Sequence, residues 1–92
     1  MIRSCKDQET EKLLRRVRSR KFQKIERAAR LKLGFLDAAT ALTDLSLPGL
    51  RLEKLSGSRA GQYSIRVNDQ YRVCFRWREG DAHEVEVTDY HE

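Results

Sequence analysis

The amino-acid sequence predicts an α+β fold, with two N-terminal helices packed on a small, mainly antiparallel β-sheet. Apolar residues recur at helical spacing only in the first half, as Leu13/Leu14/Val17 and Phe22/Ile25/Ala29/Leu36/Ala39. Beyond Pro48-Gly49 the pattern changes to alternation, in Tyr63/Ile65/Val67 and Tyr71/Val73/Phe75/Trp77. The turn signal Asn68-Asp69 separates those two runs. A chain of 92 residues supports one modest core, so residues 1–92 are read as a single domain.

Taken in order, Met1 to Cys5 is short enough for an edge strand. Ser4 or Asp7 is the expected cap of the first helix. Asp7, Glu9 and Glu11 stand in its opening turn and Arg15, Arg16 and Arg18 at its close, an order that suits the helix dipole. Leu13, Leu14 and Val17 are its expected buried stripe. Residues 18–21 read as a connector. The second helix is expected over residues 22–42, with Gly34 in its middle as a mark of close packing. Pro48-Gly49 closes the helical half, residues 50–55 enter the sheet, and residues 56–61 form a flexible turn.

Loop length then decides the hairpin, because directly opposed residues on paired strands share a face. A two-residue loop would set Ile65 against Arg72 and mix core with solvent. A three-residue loop, Asn68-Asp69-Gln70, pairs Val67 with Tyr71, Ile65 with Val73 and Tyr63 with Phe75. Arg66 then faces Arg72, a like-charge pair that is unfavourable unless carboxylates or a bound anion offset it. A second three-residue turn, Glu79-Gly80-Asp81, pairs Phe75 with Val85 and Val73 with Val87. It sets Arg76 beside Glu84 and Arg72 beside Thr88. His83 falls on the face of Trp77 as a packing residue. Arg66 and Arg72 are left the less neutralised cations.

Charge is distributed unevenly. Residues 1–50 carry 12 Lys/Arg against 6 Asp/Glu, and residues 51–92 carry 7 against 8. Between Lys12 and Lys32 stand ten basic residues and a single acid, Glu26. A basic front half joined to a near-neutral strand half suggests a polyanion-docking surface, or simply a solvated helix face. No apolar run approaches the length of a membrane span, the mean hydropathy is −0.72, and no membrane partner is expected. The opening residues lack the apolar region of a secretory signal. Cys5 and Cys74 have neither CxxC nor metal-ligand spacing, so free thiols in a cytoplasmic protein are expected. P-loop, GxGxxG, GxSxG and HExxH motifs are missing, which excludes the usual nucleotide-binding and hydrolase signatures. No metal and no cofactor are expected.

The polar residues that the strand pairing draws together are Arg66, Arg72, Asp89, Tyr90 and His91, with Glu53 joining them if the sheet order sets its strand alongside. Cleaving RNA through its own 2′-hydroxyl needs a base, an acid for the leaving 5′-oxygen and cations for the pentacoordinate phosphate. For that chemistry His91 is the expected proton carrier, since histidine suits proton transfer near neutral pH. Asp89 is expected to orient it or accept a proton, and Tyr90 to position or stack on a base. Arginines hold phosphate bidentately. Arg72, Asp89, Tyr90, His91 and Glu53 are therefore the candidate catalytic residues, and Arg66, Arg59 and Lys54 the candidate RNA- or phosphate-binding ones.

The stretches Leu52-Glu53-Lys54-Leu55-Ser56-Gly57, Gly61 through Phe75 and Asp89-Tyr90-His91 carry a specific likeness. On them the sequence resembles the HigB-type toxins of the RelE/ParE superfamily, the plasmid-maintenance killer proteins. The resemblance implies a RelE-like fold and a ribosome-dependent endoribonuclease of a type II toxin-antitoxin system, cutting mRNA in the ribosomal A site without a metal. It implies three further things: neutralisation by a HigA-type helix-turn-helix antitoxin, docking on the ribosome, and contact with operator DNA only through the antitoxin complex. Arg72, Asp89, Tyr90 and His91 correspond to active-site positions of that family. Some members carry His at the position of Glu53 and Lys at that of Ser56. Two other readings stay open: a non-catalytic, ParE-like toxin that binds DNA gyrase, and a basic RNA-binding module.

Overall fold

In the computed structural model, which describes residues 1–90, the first helix, α1, runs only Gln8–Leu14. Arg16 ends it by adopting a left-handed φ of 60°. Its N–H reaches the Leu13 carbonyl while that of Val17 reaches Lys12, the paired closing bonds of a Schellman motif. The expected stripe is therefore cut short. Leu13 is buried and Leu14 half-buried, but Val17 is 50% exposed, and Thr10 takes its place in the interior. Asp7 does occupy the N-cap position, though its side chain makes no capping bond.

The second helix also contracts. Residues 23–25 form a 3-10 turn, and α2 spans Glu26–Ala38. Its end is set from outside the helix: Asp44 accepts hydrogen bonds from the Thr40 and Ala41 N–H groups at 3.0 and 3.1 Å, which draws the chain out of helical register. Phe22, Ala29, Leu36 and Ala39 are buried as expected, and Leu33 completes the stripe. Gly34 does not mark close packing. A Cβ there would have nothing within 4 Å.

Four antiparallel strands follow in the order β1 (Glu53–Lys54), β2 (Tyr63–Arg66), β3 (Tyr71–Arg78), β4 (Asp81–Asp89). The β2–β3 hairpin has the three-residue register, with Tyr63 opposite Phe75, Ile65 opposite Val73 and Arg66 opposite Arg72. Asn68 fixes the loop, its side-chain oxygen accepting from the Gln70 and Tyr71 N–H groups at 2.9 and 2.7 Å, an Asx turn. The β3–β4 turn differs from the expected one. Only Glu79-Gly80 lie between the paired Arg78 and Asp81, and Arg76 faces His83. A bulge then sets Glu84 and Val85 against Phe75 and restores the Arg72–Thr88 and Val73–Val87 pairs. Glu84, at φ 51°, is the bulged residue. His83 consequently lies on the face of Arg76, and Ala82 takes the position opposite Trp77.

The bulge has a partner. Ser4 accepts the Glu84 N–H through its hydroxyl at 2.9 Å and the Val85 N–H through its carbonyl at 3.0 Å. Residues 2 and 5 form parallel bridges to Ala82 and Val85, and the Thr10 hydroxyl accepts the Val87 N–H at 2.9 Å. The outer edge of β4 is thereby covered instead of standing open to other strands.

Strand alternation sorts the side chains. Ile65, Val67, Val73, Phe75, Val85 and Val87 point to the helices and close one core with Leu13, Phe22, Ala29, Leu33 and Leu36. Arg66, Arg72, Cys74, Arg76, Ser64 and Glu86 belong to the other face, away from the core side, where Ser64 and Cys74 are nonetheless buried.

Candidate functional site

On that second face, Arg72 is the organising side chain. Its Nε donates to the Ser64 hydroxyl at 2.7 Å, and its Nη2 donates to the Arg51 carbonyl at 2.6 Å and the Ser64 carbonyl at 3.4 Å. A carboxylate oxygen of Glu53 stands 3.9 Å from Nη2. The guanidinium is only 13% exposed, so its orientation is held by three fixed acceptors before any ligand arrives. Glu53 reaches it because β1 pairs Glu53 with Ser64, which is in turn paired with Cys74 on β3. The Arg51 carbonyl reaches it because Arg51 turns left-handed at φ 46°, after the 3-10 turn Pro48–Leu50.

Around this guanidinium a cleft of about 280 Å³ is lined by Arg51, Glu53, Arg66, Asn68, Asp69, Arg72 and Tyr90. Arg66 is ion-paired with Asp69, whose carboxylate is otherwise fully exposed. That contact offsets much of the like-charge cost of facing Arg72, so Arg66 is better neutralised than the strand pattern suggests. Three arginines, two carboxylates set against Arg66 and Arg72, and the Tyr90 ring line one cleft, an arrangement able to hold a phosphate that bears a planar group.

Arg76 lies apart. It pairs with Glu84 at 3.1 Å, as the sequence predicts, and its guanidinium lies over Gly61, where a Cβ would approach Nη1 to 2.7 Å. Its role is structural.

The expected site residues divide. Arg72, Arg66, Glu53 and Tyr90 come together in the cleft. Arg59 stands beyond Tyr90: its Nη1 donates to Glu86 and Gln62, both at 3.1 Å, and its guanidinium packs 5.4 Å from the Tyr90 ring centre. Arg59 therefore supports the tyrosine by a cation–π contact. Lys54 is exposed opposite Tyr63, on the helix-side parity of the sheet, and does not line the cleft. Asp89 pairs with Tyr71, which packs on Phe22, and accepts a bond from Gln70 Nε2 at 3.1 Å. The structure thus directs Asp89 away from Arg72. His91 lies outside the described residues.

Sequence reasoning missed Ser64, Arg51, Asn68 and Asp69 as parts of this cleft. Ser64 was discoverable, since period-two alternation puts it on the face of Arg66 and Arg72. Arg51 carried no signal. Its contribution is a carbonyl exposed by backbone conformation. Elsewhere, burial pushes the Cys5 thiol up to about 11 and raises that of Cys74 as well, so neither is a poised nucleophile.

The model of the HigB-like toxin family, described as RelE-like toxin of type II toxin-antitoxin system HigB, matches residues 5–91. Toxin HigB-1 of Vibrio cholerae is 52% identical over 59 residues, covering 63% of this chain and 62% of that protein. Endoribonuclease HigB of Proteus vulgaris is 35% identical over 60 residues, covering 65% of each. The chain thus matches slightly less than two thirds of the length of either relative. A chain of the YoeB-YefM complex from Staphylococcus aureus has the same fold, with a TM-score of 0.62 and 18% identity over 100% of this chain and 99% of that one.

Proposed function

Because the chain belongs to the HigB-like family of RelE-like toxins of type II toxin-antitoxin systems, we propose that it is a ribosome-dependent endoribonuclease cleaving mRNA in the ribosomal A site. The observation that carries this reading is the Arg72 guanidinium, fixed by Ser64 and the Arg51 carbonyl at the floor of a cleft that also holds Glu53 and Tyr90. A preorganised cation is what a phosphate gaining charge in its transition state requires. The name of the Proteus vulgaris relative, Endoribonuclease HigB, supports the same reading.

In this mechanism Tyr90 stacks on a base of the substrate and Arg72, helped by Arg66, holds the scissile phosphate. Glu53 accepts the proton of the 2′-hydroxyl as its oxygen bonds to phosphorus. The phosphorus–O5′ bond breaks, and the leaving oxygen takes a proton from His91. The products are a 2′,3′-cyclic phosphate and a 5′-hydroxyl. Asp89 contributes from the strand end, through Gln70 and the chain that leads to Tyr90. The ribosome supplies the substrate geometry, and a HigA-type antitoxin holds the toxin inactive and carries it to operator DNA. A cytoplasmic location goes with that role.

Mapping mRNA 5′ ends in a translating extract tests the proposal. The protein should create new ends inside the A-site codon. Arg72→Ala should lose about a hundredfold or more of that cleavage, with its circular dichroism unchanged. Intact mRNA together with inhibited DNA supercoiling would overturn the nuclease in favour of a gyrase-binding toxin.

A further inference from the structure

Helix α2 has two apolar faces, and only one is used by the fold. Ala29, Leu33 and Leu36 enter the core. On the opposite side of the helix, at spacings of three and four residues, stand Leu31, Gly34, Phe35 and Ala38, all exposed. Leu31 is 57% and Phe35 41% exposed. They line a shallow groove whose polar rim includes Arg16, Lys24 and Arg27. Glu26 and Arg30, also at its edge, neutralise each other, and Arg30 further donates to the Leu13 and Val17 carbonyls. Among the described residues, Arg16, Lys24 and Arg27 enter no ion pair.

We propose that this outer face of α2 is a docking groove for an acidic amphipathic helix of a protein partner. Gly34 is central to the fit. A side chain there would meet open space, so its absence leaves a notch between Leu31 and Phe35 into which a partner's apolar residue can seat. The unpaired cations, Lys24 and Arg27 toward the N-terminal end of the groove and Arg16 beside it, then demand acids on the polar side of that helix. RNA answers the rim but leaves Leu31 and Phe35 uncovered. A second copy of this chain would answer the apolar floor, but the carboxylate its own groove brings, Glu26, is already paired with Arg30 and leaves the three cations unanswered. The groove lies across the helical layer from the Arg72 cleft, so its occupant leaves that cleft open, and the inference stands whether or not the cleft cleaves RNA.

The test uses the full chain and a synthetic amphipathic helix bearing leucines at helical spacing and glutamates on its polar side. A control peptide keeps the leucines and replaces glutamate with lysine. Amide NMR shifts should map saturable binding of the acidic peptide to Leu31, Gly34 and Phe35, with no binding of the control. Gly34→Leu should fill the notch and Leu31→Lys should remove an anchor, each weakening binding about tenfold or more. Gly34→Leu should fold at least as well as the wild type, because glycine is the poorer helix former. The inference is overturned if the acidic peptide does not bind or binds both variants undiminished. It is equally overturned if single-stranded RNA or anionic vesicles occupy this face instead, or if the face mediates self-association.

Discussion

The two faces of the sheet are built from the same strands by opposite means. Toward the helices, Phe75, Val73 and Ile65 are wholly buried in an apolar core. Away from them, Arg72, Arg66, Glu53 and Ser64 form a polar surface whose order comes from directed bonds. Burial is tolerant of which apolar side chain fills a place. A guanidinium anchored at 2.6 and 2.7 Å is not. One face makes the protein fold, and the other holds a cation in readiness. Substitutions on the two should therefore separate stability from activity.

The largest stability effect belongs to the helix side. Phe75 touches Tyr63 and Trp77 in ring contacts at 6.2 and 6.3 Å between centres and is fully buried. Phe75→Ala should cost about 3–5 kcal/mol in urea unfolding, a large share of the stability of so small a domain. A loss under 1 kcal/mol, about a single methylene's worth, would break the contrast between the faces.

On the polar face, Ser64 sharpens it. The residue is fully buried although polar, and its hydroxyl accepts the bond that aims Arg72. Bonds to charged groups contribute about 1.5–3 kcal/mol. Ser64→Ala should lower mRNA cleavage about tenfold or more, with most of the loss in kcat, since Arg72 remains present but mis-aimed. Ser64→Thr, which keeps the hydroxyl, should restore much of the rate. Lost stability with undiminished cleavage would reduce Ser64 to a packing role.

What was legible in the sequence follows the same division. The β2–β3 register could be derived because its cause is local: Asn68 ties off its own loop, and a one-residue slip would mix Ile65 with Arg72. The β3–β4 register was right at Val73–Val87 and wrong at Arg76, because the bulge at Glu84 depends on Ser4, eighty residues away in the chain. The end of α1 escaped for a related reason. A left-handed arginine has no sequence signature, since that conformation is ordinarily reserved for glycine or asparagine. In the cleft, Arg72 followed from strand alternation, Glu53 needed a β1–β2 pairing that alternation alone does not give, and the Arg51 carbonyl depended on a backbone angle. Asp89 was placed beside Arg72 by nearness in sequence to Tyr90. Yet pairing Arg72 with Thr88 already puts Asp89 on the Tyr71 side.

The smallest effect concerns the join between the helical half and the strand half. Asp44 is held below the usual carboxylate range by the Thr40 backbone N–H, then by that of Ala41 and by the Thr40 hydroxyl. Asp44 stands third in the 3-10 turn Leu42–Leu45 and reaches back to the N–H of its N-cap, Ala41, as in a capping box. A carboxylate whose value is lowered on folding adds stability above its unfolded value, near 3.9. That stability disappears as the pH falls through the lower, folded value. Asp44→Ala should therefore be less stable than the wild type at pH 7, and the gap should narrow as the pH drops below about 4. Cleavage at neutral pH should be nearly unchanged, because Asp44 touches neither Arg72 nor its anchors. A stability gap that stays constant from pH 7 to about pH 2 would show that Asp44 acts through geometry alone. A fall in cleavage greater than that of Ser64→Ala would show that this join, and not the polar face, aligns the guanidinium.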